Sequence, residues 1–132
     1  MAALIKDRDT QRRAGYDFHL PVAAGKRIFS GAVVCLNATG YATPAITAEG
    51  LKFPALAIEG ADNSAGANGD ILVAVERTVV GLDCDVSVTR AVIGQKVFLV
   101  DDHTVTATAS GKSPAGLLVD LQDGQAWVDL TR

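Results

Sequence analysis

After residue 15, short apolar or alternating runs separated by clusters of Gly, Asn, Asp and Ser repeat along the whole chain. Runs of this length are too short for independent helices, and their many β-branched residues favour extended backbone. The intervening clusters supply the polar groups and unusual dihedral angles that chain reversals need. About eight such runs at short, even spacing predict an all-β fold, a small antiparallel β-barrel or sandwich.

The predicted strands can be placed on the sequence. They fall within residues 16–22, 30–45 (two strands around a turn), 53–59, 71–80, 96–100, 104–109, 115–121 and 126–130. The continuous run ILVAVERTVV, residues 71–80, is predicted to be a single central strand. The segment QDGQ predicts a tight hairpin between the last two strands. One helical turn is expected in TRAVIGQ, with Thr89 as its cap and Gly94 at its end.

The composition indicates one ordered domain. A chain of 132 residues with 48% apolar and 20% charged residues can bury a core without metals or disulfides. No apolar run approaches the roughly 18 to 20 residues that cross a bilayer, and the charged start MAALIKDRDTQRR is unlike a secretory signal. Cys35 and Cys84 are too few for a disulfide scaffold, so we expect small buried thiols. We divide the chain into an extended N-terminal arm, residues 1–15, and a single β domain, residues 16–132.

Charge is distributed unevenly. The first 27 residues hold six basic and three acidic side chains, while the remainder holds six basic and twelve acidic ones. A net charge of −3 and only 5% aromatic residues argue against nucleic-acid binding. A basic arm on an acidic body predicts a contact with a sister copy or a larger partner, the alternative being an ordinary solvated terminus. The arm residues expected to contact carboxylates of that partner are Lys6, Arg8, Arg12 and Arg13.

The segment VFLVDDHTVTATAS contains the most suggestive polar cluster, Asp101, Asp102 and His103. These side chains could form a metal site or an acid/base cluster. They also suit a chain reversal between two strands, because Asp and His bond local backbone there. The other histidine, His19, is distant in sequence, so the turn interpretation is favoured and a hydrolase using the three residues is the minor alternative.

Other candidate motifs are incomplete. ASGKS, residues 109–113, lacks the earlier glycine and the following helix of a phosphate-binding loop. The oxygen-rich loop GADNSAGANGD, residues 60–70, fits no calcium-binding pattern and is expected to be solvated. LDCD, residues 82–85, lacks the second ligand pair of a zinc site, and no nucleophile elbow occurs. We therefore expect no catalytic residue, no metal and no cofactor.

The final third of the chain resembles the closing region of tailed-phage capsid decoration proteins, also called head cement proteins. The positions that carry this resemblance are Gly94, Lys96, Val97, Phe98, Asp101, Asp102, Val105, Thr106, Gly111, Ala115, Gly116, Trp127, Val128 and Leu130. The hairpin FSGAVVCLNATGYATPA is similar to the family's at Asn37, Gly40, Tyr41 and Pro44. DNSAGANGDILVAVERTVV resembles its loop and long central strand. The resemblance covers about residues 21 to 130.

This resemblance implies an all-β structural protein without enzyme activity, located on the capsid exterior of the virion and made in the host cytoplasm. It implies two partners: the major capsid protein, whose neighbouring subunits it cements, and further copies of itself in a homodimer or homotrimer. No nucleic-acid or membrane partner is expected. The alternative is a virion-surface module that binds a carbohydrate or receptor through the loop at residues 60–70.

Overall fold

The computed structural model describes residues 2–11, 13 and 15–132, and within them the chain forms twelve β-strands. They are β1 (Asp17–Pro21), β2 (Arg27–Ile28), β3 (Val33–Leu36), β4 (Ala42–Pro44), β5 (Lys52–Ala57), β6 (Ala61–Asp62), β7 (Leu72–Glu76), β8 (Val79–Cys84), β9 (Lys96–Leu99), β10 (Thr104–Thr106), β11 (Pro114–Gln122) and β12 (Gln125–Asp129). The predicted all-β class is confirmed. Among the described residues no helix is long and apolar enough to span a bilayer.

The first half of the fold is a five-stranded antiparallel sheet in the order β1-β7-β5-β3-β4. The two edge strands of this sheet, β1 and β4, come together beyond the end of β1, so the sheet is strongly curved. Val22 forms a parallel bridge with Ala42, and the Ala23 amide donates to the Ala42 carbonyl at 2.8 Å. The small sheet β2-β6 packs Ile28 and Ala61 into the apolar cluster of this half.

The second half is a closed ring of five strands, β10-β8-β12-β11-β9. Four of its pairings are antiparallel, and the ring closes through a parallel pairing of β10 with β8. The prediction of a small antiparallel barrel or sandwich of about eight strands is therefore confirmed as to class, but the strands divide between a sheet and a ring, and one pairing of the ring is parallel. The parallel contact could not be read from local pattern, since its partners lie about twenty residues apart in the sequence.

Two apolar clusters form the core, and both include residues from β3. Val33 and Cys35 pack in the cluster that contains the ring residues, while Val34 between them packs in the cluster to which Leu20, Ile28 and Val73 belong. This is the period-two alternation of a strand buried on both faces. The two halves thus share strand β3, which contributes side chains to both apolar clusters.

The structure corrects the prediction for residues 71–80. The predicted single strand is two strands, β7 and β8, which belong to different halves and are separated at Arg77 and Thr78. Its β-branched residues were recognised correctly, but the break falls at the polar residues Glu76, Arg77 and Thr78, and both Thr78 and Val79 are exposed. This polar interruption of the apolar run is the sequence signal that the prediction overlooked.

Smaller predictions are confirmed with modification. The helical turn is a three-residue 3₁₀ segment, Arg90–Val92, in which Thr89 occupies the cap position without a side-chain hydrogen bond.

Cys35 is buried, and burial raises its thiol pKa to about 12. Cys84 is only half-buried, and both are free thiols. The hairpin at QDGQ joins β11 to β12 as expected.

Candidate functional site

The N-terminal arm lies outside the packed body. All its described residues, 2–11, 13 and 15, are exposed to solvent. Within residues 2–11, 13 and 15–132, no ion pair within 4.0 Å involves Lys6, Arg8 or Arg13. The fourth predicted contact residue, Arg12, lies outside the described residues. Lys6, Arg8 and Arg13 thus lie in one exposed segment and form no ion pair with a carboxylate of the described residues.

Two apolar residues in the arm were not singled out from the sequence. Leu4 is 72% exposed and Ile5 is 98% exposed, beside the charged residues that follow them. Adjacent large apolar side chains in an otherwise polar terminus are a signal that could have been used. In a partner interface such residues supply buried apolar area, while the cations supply orientation and faster encounter.

The arm leads directly into an edge strand. β1 pairs antiparallel with β7 over all five of its residues, from Asp17↔Glu76 to Pro21↔Leu72. Among the described strands, none pairs with the opposite side of β1 between Asp17 and Leu20. A free edge presents unpaired N–H and C=O groups to which another extended chain can add.

The segment DDH lies at the reversal between β9 and β10, as the turn interpretation predicts. The His103 amide donates to Asp101 Oδ1 at 2.9 Å, which fixes the turn through a local side-chain acceptor. The Asp102 carbonyl accepts from the Val33 amide at 2.7 Å, so the turn is also held against β3. The ligand atoms of Asp101, Asp102 and His103 all lie within 4.8 Å of one another.

A fourth member of this cluster, Asp83, was not predicted. His103 Nδ1 lies 3.0 Å from Asp83 Oδ2, and His103 Nε2 lies 3.6 Å from Asp101 Oδ1. The hydrogen bond to Asp83, with a smaller contribution from the charge of Asp101, raises the His103 pKa above its ordinary value. The side chain is 60% exposed. The cluster therefore holds a solvated imidazole between two carboxylates, an arrangement that favours the protonated ring.

The loop at residues 60–70 is more ordered than a plain solvated loop. Asn63 is 1% exposed, and its side-chain nitrogen donates to the carbonyl oxygens of Val22, Ala23 and Ala67 at 3.2, 3.1 and 2.9 Å. The Ala67 amide in turn donates to Asp70 Oδ2 at 2.9 Å. The buried asparagine thus fixes the loop to the end of β1, a structural role that its polar sequence context concealed.

These contacts also bear on the carbohydrate-binding alternative. In the loop, Asn63 and Asp70 hydrogen-bond backbone groups, and residues 60–70 contain no aromatic side chain. The one tryptophan, Trp127, is half-buried in β12. Sugar sites usually need an exposed aromatic face. No specific observation therefore favours that alternative.

Comparisons of the chain with protein-family models, curated proteins and solved structures give no match.

Proposed function

We propose that this chain is a structural protein of a tailed-phage virion that decorates the exterior of the mature head and cements neighbouring major capsid protein subunits. The observation that carries the proposal is the exposed arm. Within the described part of the chain its Lys6, Arg8 and Arg13 form no ion pair, its Leu4 and Ile5 are exposed, and it leads into β1, whose outer edge pairs with no described strand. The sequence resemblance to capsid decoration proteins supplies the identity of the partner. In this proposal the protein makes and breaks no covalent bond.

The proposed mechanism is linkage between binding and shell geometry. A protein that binds the expanded lattice more tightly than its precursor or broken forms stabilises that lattice by the difference in binding free energy. Each contact contributes little alone. Because many copies each connect neighbouring subunits, opening the shell requires many contacts to be lost together.

Each part of the chain has a role in this mechanism. The body, closed by its ring and by the Val22–Ala42 bridge, is a rigid spacer. The arm is the connector, and its cations meet carboxylates on the capsid protein while its backbone adds to a sheet edge. A homodimer or homotrimer increases the effective concentration of each arm at the shell.

Co-sedimentation with undecorated heads, assembled from the major capsid protein of the phage that carries the gene, tests the proposal. Wild-type protein should pellet with expanded heads, and deletion of residues 2–14 should abolish this binding. The double variant Lys6→Glu/Arg8→Glu should weaken binding by at least about tenfold, since each change replaces an attraction with a repulsion. Full occupancy by the deletion variant would refute the proposed role of the arm.

A matched control separates arm contacts from overall charge. Lys52 and Lys112 are body lysines whose joint replacement by Glu changes the net charge by the same amount. This double variant should bind heads with close to the affinity of the wild type. Mass measurement of the free protein then distinguishes a dimer from a trimer. A monomer that fails to bind heads at any concentration would exclude the cement function.

A further inference from the structure

A pocket lies at the junction between the two halves of the fold. It has a cavity volume of about 130 Å³, well above the roughly 10 to 15 Å³ that one water molecule needs. Its lining residues are Pro54, Arg77, Lys96, Pro114, Ala115, Gly116, Leu130 and Arg132. The floor is apolar, since Ala115 and Leu130 are buried, and the three long side chains that line it are all cationic.

Arg77 is held in a fixed position at this junction. Its Nε donates to the Pro54 carbonyl at 3.0 Å and its Nη2 to the Leu130 carbonyl at 2.7 Å. The guanidinium carbon also lies 4.2 Å from the ring centroid of Phe53. These partners orient the guanidinium but carry no net charge. Among the described residues no carboxylate lies within 4.0 Å of it, although the more distant charge of Asp129 still favours the protonated guanidinium.

The other two cations leave the pocket with excess positive charge. Lys96 is exposed at its rim and forms no ion pair within the described part of the chain. Arg132 Nε lies 3.3 Å from Asp129 Oδ2, which offsets one charge. The charge of Asp129 also acts on Arg77, so within the described residues the three cations of this concave site share one carboxylate, on a protein of net charge −3. A concave site of one sign concentrates ligands of the opposite sign.

Backbone strain occurs at the same place. Phe53 has a φ of +56°, although bulky residues with a Cβ rarely adopt this left-handed conformation. The strained residue sits at an irregularity in the β3–β5 register and places its ring against Arg77. Strain of this kind persists where the surrounding structure imposes it, and it is concentrated at ligand sites.

From the charge, shape and strain of this pocket, we infer that it binds a glutamate side chain of a partner protein, with the carboxylate between Arg77 and Lys96. The apolar floor suits the methylene groups of such a side chain. The fixed guanidinium retains donors that are not used by Pro54 or Leu130, and a guanidinium binds carboxylates in a planar geometry. The exposed lysine adds a second, mobile cation at the entrance.

This site is separate from the N-terminal arm and does not rest on the proposed shell function. The inference concerns only a contact between the body of the protein and a glutamate side chain. Failure of head binding would leave it intact, and failure of this site would leave the arm intact. The two proposals can therefore be tested independently.

The test uses two model compounds that differ only in charge, N-acetyl-glutamate α-amide and N-acetyl-glutamine α-amide. Each is titrated into the ¹⁵N-labelled full chain at low ionic strength and followed by amide chemical shifts. The glutamate compound should shift the amides of Lys96 and Gly116 with a dissociation constant on the order of 1 mM, as expected for so small a ligand. The glutamine compound should bind at least about tenfold more weakly, because it lacks the charge.

Variants assign the binding to the pocket. Lys96→Gln should weaken binding of the glutamate compound by about fivefold or more, while Lys112→Gln, a lysine of the loop before β11, should leave it unchanged. Added 0.5 M salt (about a 4 Å Debye length) should weaken binding by wild-type protein further. Equal affinity for the two compounds, or shifts that survive Lys96→Gln unchanged, would overturn the inference. Tighter binding of inorganic phosphate than of the glutamate compound would also overturn it, since the site would then favour a compact oxyanion.

Discussion

At the scale of single residues, His103 shows how carboxylates around a surface turn raise the pKa of a histidine. Its ring lies between Asp83 and Asp101, and the hydrogen bond to Asp83 is the main cause of its raised pKa. The folded state therefore binds the proton more tightly than the unfolded chain, whose histidine titrates near 6.5. The stabilisation is fully present below that value and is lost as pH rises through the folded-state pKa.

We predict that Asp83→Asn lowers the His103 pKa toward its ordinary value. An NMR titration of the imidazole protons measures this directly. Asp123→Asn, which removes a carboxylate from the β11–β12 turn, is the matched control and should leave the titration unchanged. A His103 pKa that does not fall in Asp83→Asn would contradict the role given to the hydrogen bond.

Asn63 is the residue that converts the polar loop at 60–70 into fixed structure. Asn63→Ala removes its three hydrogen bonds to carbonyl oxygens that are partly or fully buried. Each of these carbonyl oxygens keeps a backbone donor, from Gly69, Lys26 and Asp70 respectively, so the cost is that of the lost Asn63 hydrogen bonds alone. At about 0.5 to 1.5 kcal/mol for each of the two N–H groups, we predict a loss of about 1 to 3 kcal/mol in the free energy of unfolding. Urea denaturation measures it.

Asn68→Ala is the control for that measurement. Asn68 accepts one exposed hydrogen bond, from the Ala24 amide at 2.8 Å. Its replacement should cost no more than about 1 kcal/mol. Similar losses for the two asparagines would show that Asn63 does not anchor the loop.

At the scale of elements, the strand locations could be predicted from the sequence but their partners could not. Alternation and turn residues located β3, β4, β9, β11 and β12, because these signals act within a few residues. Residues 71–80 divide into β7 and β8 because the chain passes from the five-stranded sheet to the ring at Arg77. Likewise, Asp83 reaches His103 only because β8 and β10 lie side by side. Such contacts depend on tertiary packing, which local pattern does not specify.

A glycine in β11, Gly116, lies against the backbone of β12. Gly116 has a φ of +155°, and a Cβ at this position would overlap the Asp129 carbonyl oxygen. We predict that Gly116→Ala lowers the free energy of unfolding by more than about 3 kcal/mol, since the two strands would have to separate. Thermal or urea denaturation would give the value.

The matched change is Gly111→Ala. Gly111 also has a positive φ, +72°, but a Cβ there would meet nothing within 4 Å. Only the conformational cost of about 1 to 2 kcal/mol applies to it. If the two variants were equally destabilised, steric overlap with Asp129 would not be the cause.

At the scale of the whole molecule, β3 makes the two halves depend on each other. Its Val33 and Cys35 pack in the apolar cluster that contains the ring residues, while Val34 packs in the other cluster, so loss of β3 would expose residues of both clusters. The arm contributes little to this body, because its described residues are exposed. A rigid body with an independent connector is also what the proposed cement function requires.

We therefore predict that the protein unfolds in a single cooperative transition. Leu99→Ala in the ring and Ile28→Ala in the other cluster each remove a fully buried side chain. Each should cost about 2 to 5 kcal/mol. In both variants, fluorescence of Trp127 in β12 and far-ultraviolet circular dichroism should report the same lowered midpoint, with equal calorimetric and van't Hoff enthalpies. If Ile28→Ala instead produced an early transition that left the Trp127 signal unchanged, the halves would be separate folding units, and the shared strand would not couple them.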